Sequence, residues 1–129
     1  MIKFEFDKLI RHKVRERMLT EGVVVNSSTL NAEEYISKLK EKLLEEANEA
    51  ILAETIDELK IELADILQVI HSLAGACRID FAEIEQARVE KCEINGDFSL
   101  SNYINYIEVE ESNLKVINYL RDKYRHYKL

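Results

Sequence analysis

The chain has no proline and only three glycines in 129 residues, so very little in it breaks a helix. That scarcity argues against a loop-rich sandwich, a Gly-rich phosphate-binding loop or a disordered linker, and long helices are the natural alternative. Hydrophobic residues make up 47% of the sequence, enough for one domain with a core. No uninterrupted apolar stretch approaches the ~18 residues of a membrane span.

Helices are legible in the spacing. Ile36, Leu39, Leu43, Ala47, Ala50 and Ile51 recur at helical intervals after an Asn31/Glu34 capping signature. Thr55-Ile56-Asp57-Glu58 has capping-box form and starts a second helix, with Leu59, Leu63, Ile66, Leu67, Ile70, Leu73 and Ala74 as its stripe. Gly75 and the Arg78-Ile79-Asp80 stretch are expected to close it. Asp80 with Glu83 opens a third helix from Phe81 to about Ile94, stopped by Asn95-Gly96. Nearer the start, Phe4 to Thr20 carries Lys8, Arg11, His12, Lys13, Arg15 and Arg17 among Leu9, Ile10, Val14 and Met18, and reads as a short basic helix ended by Gly22.

Val23–Val25 and the β-rich Tyr103–Glu110 are expected to form a small two-stranded element. Ser112–Leu129 reads as a basic C-terminal helix with Leu114, Ile117, Leu120 and Tyr124 on one side. The expectation is therefore an all-α fold. An antiparallel helical hairpin forms the core of a four-helix-type bundle, with the minor β element and an extra C-terminal helix. The main domain spans 1–110, and the helix of 111–129 packs on it.

The net charge of −7 disfavours stable nucleic-acid binding, and no membrane binding is expected. Its location is more informative. Nine acids against Lys42 and Lys60 between Glu41 and Asp65 carry the whole net charge. Cys77 and Cys92 match no metal spacing, and Met1–Asp7 lacks a basic region followed by an apolar run. No signal peptide is expected, and a cytoplasmic, reducing setting is.

Within the acidic segment, Glu46 and Glu49 are three apart on the first hairpin helix, and Glu62 and Asp65 three apart on the second. A turn centred between Thr55 and Ile56 would set Glu49 level with Glu62 and Glu46 level with Asp65. Four carboxylates in one space repel unless they protonate or bind cations, and hard oxygen ligands suit Mg²⁺ or Mn²⁺. The plainer reading is a solvated Glu-rich face. Glu46 and Glu62 interrupt the apolar stripes, which favours the cation site, because an unpaired acid on a packing seam is costly. The residues alone leave both readings open. His71 on the apolar second helix reads as a packing residue, and Cys77 and Cys92 as small structural ones.

Glu45-Glu46-Ala47-Asn48-Glu49, followed after twelve residues by Glu62-Leu63-Ala64-Asp65, resembles the EExxE…ExxD signature of the all-α nucleotide pyrophosphatase superfamily. That group includes MazG-type enzymes, dimeric dUTPases and phosphoribosyl-ATP pyrophosphohydrolases. Phe6-Asp7-Lys8-Leu9-Ile10-Arg11-His12-Lys13-Val14 is similar to the N-terminal KLVRDK segment of its phosphoribosyl-ATP pyrophosphohydrolase-like branch. Lys91 with Asn95-Gly96-Asp97-Phe98 is similar to that branch's K…RGGF ending. The sequence departs from the branch at His12 (usually Asp), Asn95 (often Arg) and Asp97 (usually Gly), which bears on substrate choice and leaves the acids intact.

The resemblance implies a Mg²⁺-dependent hydrolase (Mn²⁺ as substitute) that cleaves a nucleoside triphosphate to monophosphate and pyrophosphate in a house-cleaning role. It implies Glu46, Glu49, Glu62 and Asp65 as metal ligands and Glu45, Glu46 and Glu49 as the catalytic acids. The proton acceptor would be Glu45 or a member of the quartet. Lys8, Arg11, Lys13 and Lys91 would contact the nucleotide, and the chain would assemble as a homodimer or homotetramer. Phosphoribosyl-ATP hydrolysis is the enzymatic alternative, and a non-enzymatic helical interaction module the alternative of another class.

Overall fold

A computed structural model describes residues 1–123 of the chain, and these contain five α-helices and no strand. They are α1 (His12–Thr20), α2 (Ala32–Leu52), α3 (Ile56–Ala76), α4 (Phe81–Asn95) and α5 (Leu114–Lys123). The chain divides into two compact units, Met1–Glu93 and Ile94–Leu129. No helix among the described residues is long and apolar enough to cross a membrane.

The first unit is built on α2 and α3, which pack together as a hairpin. Both start where the capping pattern places them. The Asn31 side chain accepts from the Glu34 N–H at 2.8 Å, and Thr55 Oγ1 accepts from the Glu58 N–H at 3.1 Å. Each bond satisfies a donor that the first helical turn leaves unpaired. In the reciprocal bond Glu58 Oε2 accepts from the N–H of Glu54 and not from that of Thr55, at 2.9 Å. Leu39, Val69 and Ala74 are the buried side chains among the described residues, and all three lie on the hairpin. Ile36, Leu43, Ala47 and Ala50 on α2, with Leu59, Ile66, Ile70 and Leu73 on α3, are half-buried around them.

Both of the tightly closed helices, α1 and α3, end in the same way. Gly22, at φ +84°, lets Gly22 and Val23 donate back to Leu19 and Met18 at 3.2 and 2.9 Å, closing α1. At the end of α3 the left-handed position falls on Arg78 (φ +57°), with Arg78 and Ile79 bonded to Gly75 and Ala74 at 3.1 and 2.8 Å. Gly75 itself stays inside the helix. Asp80 then caps α4 by accepting from Ala82 at 3.0 Å, and the His71 and Phe81 rings stack at 3.9 Å, tying the start of α4 to α3. α4 stops at Asn95, before Gly96 at φ +75°, as its sequence predicts.

Three expectations are corrected. The basic N-terminal helix does not begin at Phe4. Asp7 is left-handed at φ +46°, and the backbone becomes helical only after Arg11. Lys8 and Arg11, in the stretch before α1, bond instead to acids on α2 and α3. The small β element is absent from the described residues. The Val23 N–H that would serve a ladder closes α1, and Tyr103–Glu110 runs without regular structure. Strand propensity expresses packing on a sheet, and no sheet is there to pack on. Finally, the helix-to-helix connection is Ala53-Glu54-Thr55, so the hairpin centres on Glu54 and not between Thr55 and Ile56.

In the second unit, the Asp97 carboxylate accepts from the Ser99 N–H and hydroxyl at 3.0 and 2.6 Å, fixing the turn after α4. Asn113 stands just before α5, its side chain accepting from the Val116 N–H at 3.4 Å, and Ile117 and Leu120 on the helix are half-buried. Tyr124, Arg125 and Lys128 of the expected basic tail lie outside the described residues.

Candidate metal and nucleotide site

Glu46 comes from α2, and Glu62 and Asp65, one turn apart, from α3. One carboxylate oxygen of each lies within 4.8 Å of the other two. All three side chains are half-buried, and Glu46 is only 14% exposed. Octahedral oxygens held about 2.1 Å from a magnesium ion lie roughly 3–4 Å apart, so small side-chain rotations would gather these three around one ion. The hard, anionic donor set fits Mg²⁺ or Mn²⁺.

The hairpin's centre explains the membership. With the connection centred on Glu54, Glu46 is level with Glu62, and Asp65 follows one turn along α3. Glu49 stands nearer the connection, exposed, and does not join the three. Its charge is still felt at Glu62. Partial desolvation, then the negative charges of Asp65, Glu46, Glu49 and Glu58, hold the Glu62 carboxyl above its ordinary pKa.

Cations border the acids on one side. Arg11 Nη2 donates to Asp65 Oδ1 at 2.9 Å, and Lys8 Nζ donates to Glu45 Oε1 at 3.1 Å. Lys42 reaches the same Glu45 oxygen at 3.2 Å and Glu46 Oε1 at 3.5 Å. Burial pushes the Glu45 pKa up, but the hydrogen bonds and charges of Lys8 and Lys42 outweigh it and leave the carboxyl below its usual value.

Two hollows meet here. One, of about 270 Å³, lies where Lys8, Arg11, Lys42, Glu46 and Asp65 converge under Phe6 and Met18. The other, of about 560 Å³, extends along the hairpin between Tyr35, Leu39, Gln68, Val69 and Ser72. Leu9, Ile10, Arg11, Lys42 and Glu46 line both, so the two adjoin. Apolar walls with a few converging polar groups, next to shifted carboxyls, are the usual features of a small-molecule site.

Of the residues singled out in the sequence, Glu45, Glu46, Glu62, Asp65, Lys8 and Arg11 come together, and Lys13 lines the larger hollow. Lys91 stands exposed on α4 and borders neither hollow. Sequence reasoning passed over Lys42, although its spacing of three and four from Glu45 and Glu46 announces both ion pairs. It also passed over Tyr35, Gln68 and Ser72, whose convergence depends on the hairpin register and leaves no local signal. His71 stacks on Phe81 and takes no part in the acid cluster. Cys77 and Cys92 are unpaired thiols.

Comparison with protein-family models, curated proteins and solved structures found no match to this chain.

Proposed function

We propose that the chain is a Mg²⁺-dependent nucleoside triphosphate pyrophosphohydrolase of the MazG-like kind, releasing nucleoside monophosphate and pyrophosphate to clear modified or surplus nucleotides. The observation that carries this reading is the half-buried trio Glu46, Glu62 and Asp65, bordered by Lys8, Arg11 and Lys42 beside two adjoining hollows. Acids that gather a divalent cation, beside basic groups that can take up phosphate charge, match the electrostatic demands of phosphoryl transfer. Phosphoribosyl-ATP is the alternative substrate of the same chemistry.

In this reading Glu46, Glu62 and Asp65 hold the metal, and Glu49 adds negative charge that is felt at Glu62. A bound Mg²⁺ supplies charge neutralisation for the triphosphate and lowers the pKa of a bound water. Arg11 and Lys8, now on Asp65 and Glu45, turn to the phosphate oxygens as a nucleotide enters, with Lys13 behind them. Glu45 is ionised at neutral pH, as an ordinary glutamate is, and Lys8 and Lys42 hold its carboxyl lower still. Lys8 and Lys42 both bond its Oε1, which leaves Oε2 to accept the proton of the attacking water. Lys91 has no part in this arrangement.

The reading includes a homodimer or homotetramer in the cytoplasm. Its support is an apolar row on the hairpin away from the acids, formed by the exposed Leu44 and Ile51 on α2 and Leu63 and Leu67 on α3.

Product analysis over a panel of ordinary and modified nucleoside triphosphates tests the proposal. Monophosphate and pyrophosphate should form only with Mg²⁺ or Mn²⁺, and Glu46→Gln should lower the rate by at least about a hundredfold, as expected when a residue essential to transition-state stabilisation is lost. Equal product from the variant would contradict the assignment of the acids. No product from any triphosphate would move phosphoribosyl-ATP to the front, and failure there as well would remove the hydrolase reading.

A further inference from the structure

The larger hollow invites a chemical assignment of its own. Its floor is Leu39 and Val69, two of the three buried side chains among the described residues. Tyr35 on α2 puts an aromatic ring on one wall, and Gln68 and Ser72, one turn apart on α3, stand on another. Gln68 Nε2 donates to Ser72 Oγ at 3.2 Å, which steadies an amide that still has a donor and an acceptor to offer. At about 560 Å³ the hollow lies within the usual range of small-molecule sites. It shares Arg11, Lys42 and Glu46 with the hollow where the acids and cations meet.

From this arrangement we infer that the larger hollow binds the nucleoside half of the nucleotide, with Tyr35 as the stacking surface and Gln68 as the group that reads the base edge. The inference rests on the proposed nucleotide chemistry for its phosphate end. An aromatic face is tolerant of base identity, because every base has a π-face to stack. An amide is not tolerant, because each base edge presents its own order of donors and acceptors, and a mismatched pair forgoes its hydrogen bond. The two residues therefore divide the work. Tyr35 sets how tightly any nucleoside binds, and Gln68 sets which one binds best. Arg11 marks the junction, belonging to both hollows.

Equilibrium binding tests this without relying on turnover. The probes are the four common nucleoside monophosphates and inorganic pyrophosphate, each titrated in Mn²⁺ into the wild-type protein and the variants Tyr35→Ala, Tyr35→Phe and Gln68→Leu. Tyr35→Ala should weaken every monophosphate about tenfold, consistent with loss of one stacked ring, while Tyr35→Phe keeps wild-type affinity. Gln68→Leu should change the order of preference among the four. Pyrophosphate should bind all four proteins alike, which also shows that the variants are folded. The inference is overturned if Tyr35→Ala and Gln68→Leu bind the monophosphates as the wild type does, or if pyrophosphate affinity falls in parallel. It is also overturned if the wild type binds no monophosphate, and pyrophosphate binding by that protein then shows whether the phosphate site survives without it. Monophosphate binding with no triphosphate hydrolysed would remove the hydrolase reading and leave the nucleoside site standing.

Discussion

A carboxyl group partly withdrawn from water among other carboxylates holds its proton more tightly than a free one, and Glu62 is in that position between Asp65 and Glu46. The consequence for stability has a definite sign. Because its pKa is raised in the folded state, the native protein binds more protons than the unfolded chain between the two pKa values. Stability therefore falls as pH rises through that window, and at neutral pH the Glu62 charge opposes folding. In chelator-treated protein, Glu62→Gln should raise Tm at pH 7 by a few degrees, and the gain should vanish as pH falls below the ordinary glutamate range, where Glu62 is protonated in the folded and the unfolded chain alike. Adding Mg²⁺ should reverse the order, stabilising the wild type more than the variant by ligand binding to the native state. Differential scanning calorimetry reads all three. A Glu62→Gln protein less stable at pH 7 without metal would show that the acids are not in mutual repulsion.

Elements were legible in the sequence to the extent that their causes are local. Asn31 and Thr55 lie three residues before the donors they cap, so α2 and α3 announce their own starts, and Asn95-Gly96 announces the end of α4. The start of α1 depends on Lys8 and Arg11 finding partners 37 and 54 residues away, which no local pattern records. The strand at Tyr103–Glu110 had propensity without a sheet. At the site, the spacing of three within each acidic pair was sufficient to find the acids, because three residues in a helix share a face. Choosing which acids meet requires the register of two helices. An error of half a connection moved Glu49 out of the cluster and made Glu46 the partner of both Glu62 and Asp65. The walls of the larger hollow come from three separate stretches of chain, and only the folded hairpin brings them together.

For the whole molecule, two packed helices bury too little to form a layered core by themselves, and only three side chains among the described residues are buried. Leu44 is 65% exposed and Ile51 79% on α2, as are Leu63 at 53% and Leu67 at 48% on α3. Their helical positions place them on a face of the hairpin away from Glu46 and Asp65. Large contiguous apolar surface of this kind marks an interaction face, and a second hairpin laid against it would complete a four-helix bundle. Leu44→Glu and Leu63→Glu should each reduce the molar mass measured by light scattering to that of one chain, with helicity retained. A wild type that is already a single chain at high micromolar concentration would contradict this assembly. The acids are tested by titrating metal-free protein with Mn²⁺ and following the paramagnetic resonance of the free ion. Saturable binding of at least one Mn²⁺ per chain, displaced by Mg²⁺ and lost in the Glu62→Gln, Asp65→Asn double variant, is the predicted result; Mn²⁺ bound no more tightly by the wild type than by that variant would contradict it.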